Sequence, residues 1–357
     1  MLEFAKEAIA KAEEQSINFE GLKAGKASIR VIGVGGMGCN AVTWLHNKSI
    51  QGATVYAVNT DAQHLEISKS DAKILIGREL TNGLGCGGYP EKGRMAAKET
   101  LAEIKKAVSN TDMIFLVAGM GGGTGTGAAP VVGQVAKEAG ALVIGVVTMP
   151  FESERARMDK AEFGLEELRE VSDTVIVVDN TRLVEIAGNL PIEQAFAVAN
   201  ELISTMIKGI VETITVPSLI NLDYADVSAI MRNGEVAVIG IGESDTQNRV
   251  DEAVKQALTH PLLDVDYRGA TGALIHVTGG NDLKLEEFDK IGALISENLS
   301  ADANVIIGTR ISKEFTGKVR VITIITGVKS PYVLGRPQSR ELAPQPEMSE
   351  LGIEVFR

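Results

Sequence analysis

Three stretches of this chain concentrate glycine: 33–38 (GVGGMG), 83–88 (GLGCGG) and 119–127 (GMGGGTGTG), which hold 14 of the 38 glycines among 357 residues. Each comes after a short apolar run: SIRVIGV (28–34), AKILIG (72–77) or MIFLVAG (113–119). Runs of this length, rich in branched residues, read as buried strands. ATVYAVN (53–59), ALVIGVVTM (141–149) and DTVIVVDN (173–180) read the same way. Helices are predicted from Gly38 to Asn47, over 91–108, after Thr126 and over 155–171. Continuous apolar strands alternating with helices predict an α/β fold with a Rossmann-like parallel sheet covered on both faces. In such a sheet the loops at the carboxyl ends of the strands share one edge, so the three glycine segments face one crevice.

The rest of the chain predicts a second unit. Residues 191–217 read as one long central helix that opens at Pro191 and is ended by Pro217. A short helix follows from Asp223 to Met231, then strand 236–242, helix 246–258, strand 272–279 and helix 284–298. Two final strands, 303–311 and 318–327, stand next to each other in sequence and suit antiparallel pairing. The expected organisation is a helical arm (1–27), a nucleotide-binding domain (28–190), the central helix (191–217), a smaller second α/β domain (218–328) and a flexible, proline-rich tail (329–357).

Charge narrows the partners. With 35 basic and 47 acidic residues the net charge is −12, which repels nucleic acid and anionic membrane over most of the surface. A local anion site survives this, because backbone N–H groups bind phosphate without basic side chains. Cys39 and Cys86 form neither a disulfide framework nor a zinc pattern, and a reducing cytoplasmic setting fits. The four histidines are scattered without metal-ligand spacing and read as structural or surface residues, so no protein-built metal site is expected. The acidic start MLEFAKEAIAKAEEQ is no signal peptide. The uncharged window Met113–Ala136 holds seven glycines and Pro130, so it is strand, loop and helix rather than a membrane span, and no direct membrane insertion is expected.

The first glycine loop fits G-x-G-x-x-G between a strand and a helix, with Asn59-Thr60-Asp61 at the end of the next strand. An NAD-dependent oxidoreductase would be built this way, but it needs only that one loop. The segment 118–127 adds six glycines and two threonine hydroxyls at the start of another helix, a nest for several phosphate oxygens. Three such loops on one edge point to a nucleotide with a long phosphate chain. There is no G-x-x-x-x-G-K-[ST], which argues against a P-loop NTPase.

AGMGGGTGTGAAP (118–130) resembles the tubulin signature of the FtsZ family of bacterial and archaeal cell-division GTPases. The resemblance covers about 27–328, through GVGGMGCNAV (33–42), AVNTDAQ (57–63), LTNGLGCGGYPEKGR (80–94) and NLDYADV (221–227). It implies GTP and GDP as ligands, with Mg²⁺, and head-to-tail filaments forming the division ring at mid-cell. By position, Gly36, Met37, Gly38, Cys39 and Asn40 resemble the first phosphate loop. Gly119, Gly121, Gly122, Gly123, Thr124 and Gly125 resemble the main phosphate cradle. Gly85 and Gly87 lie in the loop that senses the terminal phosphate, and Asn59 and Asp61 resemble residues near the nucleotide and its Mg²⁺. Asn180, Phe196, Asn200 and Glu201 resemble guanine contacts, Phe196 by stacking; Glu201 stands where the family commonly has Asp. Glu154 and Arg157 resemble a ribose and phosphate pair in a segment one residue shorter than the family's, where Arg155 is the alternative.

Asp223 and Asp226 share a helix face and by themselves read as an N-terminal cap. The resemblance gives them, with Asn221, a second reading: the loop that completes the active site of the neighbouring subunit. GTP hydrolysis needs a water to be oriented and its proton handled. Carboxylates at one end and nucleotide at the other make a heterologous contact that generates a filament. A non-hydrolysing GTP-binding filament protein is the alternative from another class. The tail ends in Leu351–Phe356, apolar beside charges, which suits docking on a membrane-anchoring adaptor.

Overall fold

The computed structural model describes residues 27–216, 218–220, 222–232, 235–259, 267–297 and 299–328. The expected arm (all but Ala27), Asn221, His260 and the tail lie outside the described residues.

Six parallel strands build the first half: β1 (Ile29–Val34), β2 (Ala53–Asn59), β3 (Ala72–Leu75), β4 (Met113–Gly119), β5 (Leu142–Met149) and β6 (Thr174–Asp179). Their order is β3-β2-β1-β4-β5-β6, the doubly wound arrangement in which the chain winds outward in both directions from β1. Alternate residues feed two separate cores. Val31, Val55, Phe115 and Ile144 join α1 (Gly35–Asn47) on one face. Ile32, Val34, Ile114 and Leu116 face the other way.

The helices continue as α2 (Ala62–Ile67), α3 (Arg78–Thr81), α4 (Pro90–Glu99), α5 (Leu101–Val108), α6 (Thr124–Glu138), α7 (Arg155–Val171), α8 (Asn180–Ala187) and α9 (Ile192–Thr215). The single helix expected over 91–108 is broken at Thr100, whose φ and ψ are −103° and 25° and whose hydroxyl accepts the Gly77 N–H at 3.0 Å. The sequence reading did not include α2, α3 or α8.

The second half comprises α10 (Tyr224–Met231), β7 (Glu235–Ser244), α11 (Arg249–Leu258), β8 (Gly272–Gly279), α12 (Leu285–Ser296), β9 (Asn304–Ile311) and β10 (Val319–Thr326). Its strands extend the same sheet in the order β7-β10-β8-β9. The expected antiparallel pairing of the last two strands is corrected here. β10 lies between β7 and β8, antiparallel to both, and β9 pairs with β8 in parallel. The core explains this choice: Val319 and Val321 are fully buried only in the middle of this sheet, whereas Asn304 and Ile311 at the ends of β9 tolerate an exposed edge. Among the described residues no helix is long and apolar enough to cross a membrane.

Candidate nucleotide site at the carboxyl edge of the sheet

The glycine segments meet at the carboxyl ends of β1, β3 and β4. Gly35 has φ +75°, and a Cβ there would stand 2.8 Å from the Gly125 amide nitrogen, so the first loop lies directly against the cradle. The Thr60 hydroxyl is 2.7 Å from that of Thr124, and the Cys86 thiol is 3.4 Å from Thr60 Oγ1. The 83–88 segment, the third loop beside the first loop (33–38) and the cradle (119–127), is tied in by Ala62 N–H to the Gly83 carbonyl (2.9 Å) and Gly85 N–H to the Thr60 carbonyl (3.2 Å). Lys160 of α7 donates to the Gly88 carbonyl at 2.8 Å and lies over the Tyr89 ring. Gly121 has φ +88°, and a Cβ there would meet the Arg157 carbonyl at 2.8 Å, which presses the cradle against α7.

Two helices point their amino ends at this crevice, and both ends lack the usual occupants. Neither α1 nor α6 has a side-chain cap or an acidic residue in its first turn. By contrast, α4, α9, α11 and α12 each carry acids there. Uncapped first-turn N–H groups and the positive helix end favour an anion.

The remaining expected residues take definite places. Asp61 caps α2, its Oδ1 accepting the His64 N–H at 3.0 Å, and pairs across to Leu84 of the third loop. Asn59 Oδ1 accepts the N–H groups of Thr60 and Asp61. Glu154 and Arg157 form an ion pair of 2.5 Å beside the cradle, while Arg155 opens α7 and is exposed. Phe196 is 40% exposed and meets Phe151 edge-on, with ring centroids 6.1 Å apart. Asn180 begins α8, and Asn200 lies one turn beyond Phe196. The Glu201 carboxylate turns to Lys48 at 2.5 Å, just past the far end of α1. Burial pushes the Cys39 thiol up to about 12, so it offers no thiolate at the first loop. His64, one of the four histidines read as structural or surface residues, lies between Asn59 and Asn40.

Asp223 and Asp226 are not at this edge. Each accepts the backbone N–H of the other, at 2.9 and 3.1 Å, in a reciprocal cap on α10. Tyr224 donates to the carbonyl of Asp112, just before β4, and Thr174, at the start of β6, donates to the Met231 carbonyl. The helix is therefore fixed to the amino edge of the sheet. The seven residues of β4 (Met113–Gly119) separate it from the cradle by roughly 20 Å.

A doubly wound sheet with glycine-rich loops and two uncapped helix ends at its carboxyl edge, and no P-loop lysine, is the arrangement of the GTPase domain of the tubulin class. Residues 28–188 match the Tubulin/FtsZ family, GTPase domain, and residues 235–329 match the FtsZ family, C-terminal domain. The chain belongs to the FtsZ family and is a GTPase. It is 56% identical over 315 residues to "Cell division protein FtsZ 2" of Methanocaldococcus jannaschii, covering 87% of this chain and 83% of that protein. It is 51% identical over 312 residues to "Cell division protein FtsZ 1" of Archaeoglobus fulgidus, covering 87% and 85%. Among solved structures, "FtsZ dimer, empty (M. jannaschii)" superimposes with a TM-score of 0.79 at 49% identity, over 90% of this chain and 92% of that one.

Proposed function

We propose that this protein is an assembly-coupled GTPase of cell division. GTP binds in the carboxyl-edge crevice, and hydrolysis awaits Asp223 and Asp226 of a second copy. The observation that carries this reading is the separation of the two halves: uncapped helix ends at one edge, carboxylates fixed to the other. Neither half can serve the other within one chain, whereas stacking copies head to tail joins them and repeats without closing.

The first two loops supply N–H groups to the phosphates, the third loop covers the terminal one, and Phe196 and Asn200 receive the base with Asn180. Arg157, held by Glu154, adds positive charge. Asp223 and Asp226 orient the attacking water and accept its proton, with Asn221 supporting their placement. The residues fit a phosphate-bound Mg²⁺. Among the described residues no group of three His, Cys, Asp or Glu could hold a metal by itself, and Mg²⁺ commonly keeps its waters and binds through phosphates with one carboxylate, which Asp61 offers. The ion offsets phosphate charge.

Mixing two inactive variants tests the shared site. Gly121→Ala disables the cradle and Asp226→Asn the carboxylate end. Together they regain turnover if the site forms between copies; a mixture as inactive as its components overturns the reading.

The relatives' role as cell division proteins supports filaments forming a division ring in the cytoplasm at mid-cell. The tail's Leu351–Phe356 supports an adaptor that anchors it to the membrane. Deleting 348–357 is expected to leave GTP turnover intact and to abolish recruitment to the membrane by that adaptor.

A further inference from the structure

His64 bridges two loops through a hydrogen-bond chain whose protons can be assigned from the backbone. Asn59 Oδ1 accepts from Thr60 N–H (2.9 Å) and Asp61 N–H (3.3 Å), so its amide nitrogen must be the atom facing His64 Nδ1 at 3.3 Å. An amide nitrogen only donates, so Nδ1 accepts and the ring proton sits on Nε2. Nε2–H then donates to Asn40 Oδ1 at 2.9 Å. With its oxygen turned to His64, Asn40 presents its two N–H donors on the opposite side of the amide.

The packing of α1 against α9 sets the level of those donors along the crevice. Lys48, just past the end of α1, reaches Glu201 and Thr205 of α9, and further along the Thr215 hydroxyl donates to the Gln51 carbonyl. The two helices therefore run in the same direction, side by side. Two turns back from Lys48 lies Asn40, and two turns back from Glu201–Thr205 lies the turn that carries Phe196. Asn40 is thus level with the exposed ring that stacks on a base, while the phosphate-facing N–H groups belong to the first turn of α1, nearer its start.

We infer that His64 is a positioning residue for base selection: it holds the Asn40 amide so that a donor meets the 6-oxygen of guanine, an arrangement that would oppose the 6-amino group of adenine. The inference rests on the guanine-nucleotide reading above.

Binding of GTP and of 6-thio-GTP to the full chain, by competition against a fluorescent GDP, tests it. 6-thio-GTP keeps the N1–H and 2-amino groups but carries a weakly accepting sulfur in place of the 6-oxygen. The natural protein is expected to prefer GTP. In His64→Phe, which keeps ring volume without nitrogens, that preference falls roughly five- to tenfold, the scale of one hydrogen bond. In His64→Gln, whose amide can accept from Asn59 and donate to Asn40, the preference returns. His64→Ala carries the same comparison should the Phe variant not fold. An unchanged preference in the nitrogen-free variants, or equal loss of both nucleotides with no recovery in His64→Gln, overturns the role of His64. Failure of the natural protein to bind either guanine nucleotide overturns the site reading and this inference with it.

Discussion

The Tyr224 hydroxyl donates to the main-chain carbonyl of Asp112 at 2.9 Å, and this bond attaches the helix that carries Asp223 and Asp226 to the sheet edge opposite Thr124. The separation between the two halves of the proposed site therefore depends on this tyrosine together with Thr174, which holds the other end of the helix. Tyr224→Phe keeps the ring and removes the bond. Its expected cost is about 1 kcal/mol of stability, with GTP affinity unchanged and turnover reduced. Chemical denaturation, nucleotide binding and phosphate release, measured on one preparation, check the three parts.

Asp226 takes part in the helix cap and is the proposed proton acceptor, and one substitution separates the two. Asp226→Ala loses its half of the reciprocal cap, the bond from the Asp223 N–H, as well as the charge, and that bond is worth about 1 kcal/mol. Asp226→Asn retains an oxygen for the Asp223 N–H and loses the negative charge together with the ability to take a proton. Turnover per subunit is expected to drop at least tenfold, while filament pelleting and the melting temperature stay close to those of the natural protein.

Gly121 is held in the left-handed region with the Arg157 carbonyl where a side chain would start. Gly121→Ala combines backbone strain of about 1–3 kcal/mol with a clash against α7. The expected result is loss of GTP binding out of proportion to the loss of stability. Gly140→Ala is the control for strain alone, since Gly140 also has φ +87° but nothing lies within 4 Å of a Cβ there.

His276 on β8 is 5% exposed, and its ring nitrogens have no hydrogen-bond partner among the described residues. Burial, helped by the Arg310 charge, pushes its pKa down to about 4. The unfolded chain binds the proton near pH 6.5, so the folded state is favoured fully above that pH. This advantage is lost as pH falls from about 6.5 towards 4, by an amount on the order of 3 kcal/mol. Unfolding free energies at pH 7 and pH 4.5 should differ less in His276→Leu than in the natural protein.

The crevice was legible in the sequence because its geometry is made by backbone. A turn that needs positive φ or close approach to another main chain strongly favours glycine, so the cradle is spelled out in the residues themselves. Strand partners are not spelled out in this way. The last two strands follow each other closely, yet β10 inserts between β7 and β8, since burial on both sides of Val319–Thr326 outweighs the proximity of β9. Helix α8 follows β6 without a gap, and only the Asp179 side chain, which accepts the Thr181 N–H at 2.8 Å, marks its start. His64 carried no signal in its spacing; its place depends on Asn59 and Asn40, which are brought to it by different elements. An Asn at the end of one strand and another in the first turns of a helix next to it were the only clues.

The sheet that joins the two halves is unevenly stitched. β7, β10, β8 and β9 are paired along eight residues at each junction, whereas β6 and β7 share only Thr174 with Glu235 and Val175 with Val236. If copies are stacked end to end, tension along the stack is shared between this two-rung seam and the bonds that fix α10 to the first half, Tyr224 to Asp112 and Thr174 to Met231. The seam is compliant compared with what flanks it, and the 24-residue helix α9, about 36 Å long, is the stiff member running beside it. Mechanical load on the polymer would thus be felt first as a tilt of one half against the other about that helix.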